Sequence, residues 1–220
     1  EPSIVCAGRV YTDDVFVQTS VSDKKIKLDI TLKNPTGRDR TVTLANGVQP
    51  WKDDGGSPEL LDIFGEVEVT VPAGGEKAMT IEDDWADPHL WWPDDPYLYK
   101  VVTSLWDHDA GLDRKETRFG FREWDWSDTR LKLNGVRWTL MTDHGHYGDE
   151  ETPEEGLAKM RKNGAVQQRW TILRSTKTWC GLRIYDFFDF ADENGIIVRP
   201  GSTFNGMFAN YRLYWKEERN

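Results

Sequence analysis

Asp143-His144-Gly145-His146 brings two imidazoles and a carboxylate into four residues, and a His-x-His loop is a donor set that zinc accepts. Zinc needs three or four ligands, so a third would have to come from elsewhere in the chain. The segment is therefore read as a polar loop, and no metal or cofactor is expected. Eleven tryptophans raise a second chemistry, because the apolar faces of sugars pack on aromatic rings. Trp91, Trp92 and Trp106 sit in segments that read as core. Trp170, beside Arg169 near a strand end, and Trp179, in the loop that follows, are the candidates to face a sugar. Cys180 would need a neighbouring base to act as a nucleophile, and the sequence supplies none, so it reads as an idle thiol. Asp83-Asp84, Asp94-Asp95 and Glu150-Glu151 read as solvated loop pairs.

The elements that must hold these residues follow from composition and pattern. With 220 residues, 38% hydrophobic and 12% aromatic, the chain can bury real cores. Its net charge is -10, with the two signs interspersed, which excludes the clustered basic face that nucleic acid requires. No stretch nears the ~18 consecutive apolar residues of a membrane span, and no basic-then-apolar segment opens the chain. Cys6 and Cys180 lie too far apart to argue a disulfide or zinc framework from spacing, so compartment stays open. The opening Glu1-Pro2, without an initiator Met, suggests a processed or excised piece.

From about Val15 to Trp126 short β runs alternate with strong punctuation. Val15 to Val17, Ile26 to Leu32, Thr41 to Leu44, Val67 to Val71, Lys77 to Ile81, Tyr97 to Trp106 and Asp113 to Arg122 predict seven strands, with turns at Asn34-Pro35-Thr36-Gly37, Pro72 to Gly75 and Asp109-Ala110-Gly111. That spacing predicts an antiparallel sandwich of immunoglobulin type over residues 1–128. Asn134-Gly135 then predicts a hairpin between Leu131 to Leu133 and Val136 to Leu140. Thr152-Pro153-Glu154-Glu155 is a capping box with Pro at the first helical position. Lys159, Arg161 and Lys162 suit the negative helix end, and Gly164 can close it. Ala165 to Thr171 predicts a strand. Ile184, Phe187, Phe188 and Ala191 predict a helix ending at Gly195, Ile196 to Val198 a strand, and Phe208, Tyr211 and Trp215 a last helix. This order predicts a parallel α/β layer over residues 129–220, far fewer residues than the roughly 250 of a complete (β/α)₈ barrel.

Three stretches in order carry a family resemblance: Leu90-Trp91-Trp92-Pro93 with Pro96-Tyr97-Leu98-Tyr99, then Arg118-Phe119-Gly120-Phe121-Arg122-Glu123, then Leu133-Asn134-Gly135. They are similar to the run joining sandwich to barrel in glycoside hydrolase family 2, the β-galactosidase, β-mannosidase and β-glucuronidase group. Met160 to Arg169 and Tyr185 to Val198 also resemble the first two helix-strand units of that barrel. The resemblance implies retaining hydrolysis of β-glycosides by two glutamates roughly 5 to 5.5 Å apart. It places one in an Asn-Glu pair after the fourth barrel strand and the other after the seventh. No Asn-Glu dipeptide occurs in the 220 residues. Arg169 matches the family's arginine at the end of the second strand, which supports the catalytic carboxylates. His146 falls where the family often has a histidine after the first strand. The chain departs from the pattern at Met141-Thr142, where Arg-Gly is common, at Val166 in place of Asn, and at Arg199-Pro200 in place of an acidic segment.

The expectation is therefore a sandwich followed by an incomplete barrel of about three units. It would be a fragment of a β-glycoside hydrolase, without catalytic residues of its own and inactive alone. Substrate-binding residues would be Arg169, His146, Trp170 and Trp179, with a β-glycoside as partner. The rival expectation is a non-catalytic carbohydrate-binding or adaptor module working through the sandwich. A barrel open at its edge also predicts self-association, or completion by a second chain.

Overall fold

The structure is a computed structural model of the chain and describes residues 9–52, 64–127, 129–143, 147, 148, 150–171 and 179–201. Two compact units result, one of residues 1–91 and 97–137, the other of residues 92–96 and 138–220.

Seven strands build most of the first unit: β1 (Tyr11–Ser20), β2 (Lys25–Lys33), β3 (Arg40–Pro50), β4 (Glu66–Val71), β5 (Glu76–Asp84), β6 (Tyr99–Asp107) and β7 (Ala110–Phe119). One sheet runs β1-β2-β5 and the other β4-β3-β6-β7, every pair antiparallel. β4 thus pairs with β3, whereas the constant-type immunoglobulin sandwich keeps its fourth strand in the sheet of the first. The core follows from alternation. Ile26, Leu28, Ile30 and Leu32 on β2 are all buried, and they share one cluster with Val42, Leu44, Val48, Val101 and Leu105. Each such side chain contributes roughly 1.5–3 kcal/mol when removed from water. An exposed pair such as Lys33–Asp13, at 2.8 Å, is screened by water and contributes far less, so burial decides the fold.

β1 is longer than the short run its apolar residues suggest. Asp13 is an extra residue, and the register shifts between Thr12 and Asp14. The bulge is held from β7: Thr12 N–H donates to Asp113 Oδ2 at 2.7 Å, and Lys115 Nζ donates to the Asp13 carbonyl at 2.5 Å. Asn34 closes its turn as expected, accepting from Thr36 N–H at 3.0 Å and donating to the carbonyls of Arg38 and Val71. Trp106 departs from the core reading. Val101, Thr103 and Leu105 turn inward, so Trp106 takes the outer face of β6 and is 40% exposed. Its ring covers Gly111, whose added Cβ would stand 3.4 Å from it.

The motif residues form a bonded knot. Trp91 is fully buried, Arg122 lies 4.4 Å above its ring, and Gly120 leaves the space beneath it. β8 (Trp124–Asp125), β9 (Lys132–Leu133) and β10 (Val136–Arg137) form a small antiparallel sheet. At the β9–β10 turn Asn134 and Gly135 both take positive φ, as a primed turn requires. Asn134 Nδ2 donates to the Trp91 carbonyl at 3.1 Å, and its Oδ1 accepts from Glu123 N–H at 2.8 Å.

Glu123 reaches back to the β1–β2 turn, where its carboxylate accepts from Val21 N–H at 2.6 Å, Ser22 N–H at 2.9 Å and the hydroxyls of Ser20 and Ser22. Partial burial opposes its ionisation, but these bonds outweigh burial and hold the carboxyl below its usual range. A lowered folded-state pKa contributes stability that is complete above the unfolded value of about 4.3 and is lost as pH falls through the folded value. Glu123→Gln should therefore cost about 1 kcal/mol at pH 7, a figure discounted for solvent screening, with the gap to the native chain closing below about pH 4. Urea midpoints at pH 7 and pH 3.5 would measure it; a pH-independent gap would contradict it.

The second unit alternates strand and helix: β11 (Thr142–Asp143), α1 (Pro153–Lys162), β12 (Gln167–Thr171), α2 (Ile184–Glu193) and β13 (Ile197–Gly201). β12 lies between β11 and β13, and both pairings are parallel. The capping box at α1 is complete: Thr152 Oγ1 accepts from Glu155 N–H, and the Glu155 carboxylate accepts from Thr152 N–H at 2.8 Å. Met160, Phe187, Ala191 and Ile196 fill its core. Residues 92–96 belong to this unit as a strap: Arg161 Nη2 donates to the carbonyls of Pro93 at 2.6 Å and Asn194 at 2.9 Å. No helix among the described residues is long and apolar enough to cross a membrane. The helix expected around Phe208 to Trp215 lies outside the described residues.

Candidate functional site

Parallel strands bind ligands at their carboxyl ends, where the loops emerge. Here those ends are Asp143 on β11, Arg169-Trp170-Thr171 on β12 and Arg199-Pro200-Gly201 on β13. Two contacts assign the faces. Thr142 Oγ1 bonds Gln167 Oε1, placing both on one face, while Val198 packs into the core of α1 and α2 on the other. The register pairs Thr142 with Gln167, Gln167 with Ile197, Arg169 with Arg199, and Trp170 with Pro200. By alternation Arg199 occupies the face of Gln167. Gln167 is buried and Arg199 exposed. Sequence reading left Arg199 as a departure from a pattern; its pairing with Arg169 exists only in the register.

His146, with His144, lies outside the described residues. Trp179 is corrected by the structure. Its indole is 2% exposed, with ring centroids 5.1 Å from Tyr147, 5.0 Å from Phe187 and 5.8 Å from Phe190, so both faces meet core rather than sugar. Trp179 and Leu182 exchange backbone hydrogen bonds of 3.0 and 2.9 Å around Cys180 and Gly181, both at positive φ, a tight primed turn. Cys180 is buried with it. Desolvation first, then the charge of Glu151, pushes its thiol up to about 11, so it is protonated at neutral pH and a poor nucleophile. Among the described residues no group of three or more His, Cys, Asp or Glu is placed to hold a metal ion.

The sequence signal for this packing was Gly156. Inside α1 a glycine costs helix stability, and here it makes room: a Cβ would overlap Cys180 Sγ and stand 3.1 Å from the Trp179 ring. Gly156→Ala is expected to destabilise by about 1–3 kcal/mol despite the better helix former, and Cys180→Ala in the same chain to recover part of it. Denaturant midpoints of the two single variants and the double variant measure this; a neutral Gly156→Ala would contradict the packing.

The chain is similar to known proteins. The profile of glycosyl hydrolases family 2 matches residues 10–122. The chain is 24% identical to a β-galactosidase of Alteromonas mediterranea over 96% of its own length and 20% of that protein's. It is 25% identical to a β-glucuronidase of Formosa agariphila over 65% of its length and 13% of that protein's. It therefore spans a fifth or less of the length of these two relatives. The structure of Bacteroides uniformis β-glucuronidase 2, covalently bound to cyclophellitol-6-carboxylate aziridine, superposes with TM-score 0.61 at 22% identity, covering 87% of this chain and 24% of that one. The chain belongs to glycosyl hydrolases family 2, and its fold is like that of the matching part of this solved structure.

Proposed function

We propose that this chain is part of a retaining β-glycosidase, contributing a sandwich (residues 1–128) and the first three strands of a (β/α)₈ catalytic barrel (residues 129–220), and that it does not hydrolyse glycosides by itself. The observation that carries the reading is the parallel order β11-β12-β13 with α1 and α2 between successive strands, in a chain of this family. Arg169, at the carboxyl end of the second strand, has the place from which a guanidinium favours ionised carboxylates by charge and hydrogen bonding. The two glutamates that cleave the bond, one attacking carbon and the other passing a proton to the leaving oxygen, come from later strands. His146 and Trp170 remain candidates for the sugar-facing rim. The outer edges of β11 and β13 have no neighbour among the described residues, which favours self-association.

A cyclophellitol aziridine of the kind bound in the Bacteroides uniformis enzyme tests this reading. Intact-mass measurement after incubation should show no covalent adduct on this chain. An adduct mapping to one of its glutamates, and blocked by excess sugar, would mean that the chain holds its own nucleophile.

A further inference from the structure

We propose that the outer face of the β1-β2-β5 sheet binds a neutral glycan chain, with one sugar ring stacked on Phe16 and another seated in a cleft at Tyr11. The site lies on the first unit alone and goes beyond the glycosidase reading, which rests on the strands of the second. Ile26, Leu28, Ile30 and Leu32 point into the core, so the residues of β2 between them face out. Register then sets Tyr11, Lys33 and Glu76 in one outer row and Phe16, Asp29 and Thr80 in another. Four residues of β2 separate the rows, about 13 Å, farther than one sugar ring reaches. The row between holds only short side chains, Thr31, Ala78 and Asp14.

At the first row Tyr11, Lys33 and Glu76, with Pro35 and the bare backbone of Gly74 and Gly75, line an open cleft of about 330 Å³, at the small end of the range of ligand sites. At the other row Phe16 is 59% exposed, an apolar ring left in water. Beside it the Asp29 carboxylate accepts from Gln18 Nε2 at 2.5 Å and from Thr80 Oγ1 at 2.6 Å, which fixes an amide and a hydroxyl at the rim of the ring. The apolar face of a sugar packs on such a ring while its hydroxyls bond to fixed polar groups around it. Charge selects the class of ligand. Lys25, Lys27 and Lys33 are each paired with a carboxylate, those of Glu82, Asp29 and Asp13, so this face keeps no cation for an anionic ligand. The Tyr11 hydroxyl and the Glu76 carboxylate make no hydrogen bond among the described residues, and the hydroxyls of a neutral sugar satisfy both.

The test is an NMR titration of the ¹⁵N-labelled chain with cellotetraose, β-1,4-mannotetraose and β-1,4-galactotetraose, beside methyl β-glucoside and tetragalacturonate. At least one neutral tetrasaccharide should bind about tenfold more tightly than the methyl glucoside, because it reaches both rings, and should shift amides of β1, β2 and β5. Phe16→Ala, at an exposed position that should leave the fold intact, is expected to weaken that binding about tenfold, and Tyr11→Ala about as much. Should Tyr11→Ala fail to fold, Ala78→Glu, exposed and between the rings, should block the path and weaken binding by about the same factor. Failure of every neutral tetrasaccharide to bind, tetragalacturonate binding as tightly as they do, shifts confined to other strands, or an unchanged affinity in Phe16→Ala would overturn the proposal. So would a dimer in light scattering that Phe16→Ala dissolves, since the face would then join two copies of the chain. None of these results touches the glycosidase reading, which the covalent adduct tests separately.

Discussion

Gly195→Ala is expected to destabilise the second unit by about 3 kcal/mol or more, the largest effect of any single methyl group in the described chain. Two costs combine. Gly195 has φ +66, where an L side chain loses roughly 1–2 kcal/mol. A Cβ there would also overlap the Pro93 carbonyl, which is backbone and cannot swing aside, adding about 1–3 kcal/mol of overpacking. The backbone must choose between leaving the left-handed region, which undoes the end of α2, and pushing the 92–96 strap away. Hydrogen exchange of amides in α1 and α2, with denaturant midpoints, would measure the loss. Gly37→Ala is the control: nothing lies within 4 Å of its added Cβ, and its effect should stay within about 0.5 kcal/mol. Equal effects at the two positions would refute the close approach at Pro93.

Arg161→Ala should follow at about 2–4 kcal/mol. One terminal nitrogen serves two main-chain carbonyls, those of Pro93 and Asn194, and hydrogen bonds to a charged donor contribute about 1.5–3 kcal/mol each when part-buried. Lysine places a single ammonium on a different stem and should restore less than half of the loss. Because Arg161 and Gly195 hold the same strap, their effects should not add: the double variant should be less destabilised than the sum of the single changes. Strict additivity would place the two residues in independent contacts.

These two residues also mark what the sequence could and could not tell. Local chemistry was readable: the capping box at Thr152, the primed turn at Asn134-Gly135 and the period of β2 depend on neighbours within a few residues. Long-range pairing was not. The bulge at Asp13 is fixed by Asp113 and Lys115, about a hundred positions away, so nothing near Asp13 announced the full length of β1. Val101-Val102 left the inward face of β6 ambiguous, and Trp106 fell on the outer one. Trp179 could be judged a rim residue only while Gly156 had no known partner. The candidate site divides in the same way. Arg169 was nominated through a motif, whereas its register pairing with Arg199 depends on strands about thirty residues apart being laid side by side.

The most direct test of the proposed role is hydrolysis of a panel of nitrophenyl β-glycosides by this 220-residue chain, with light scattering to give its mass in solution. We expect no turnover above the enzyme-free blank, whatever the mass. Turnover that disappears in Arg169→Ala would contradict this, since the chain would then assemble a catalytic carboxylate pair from its own residues.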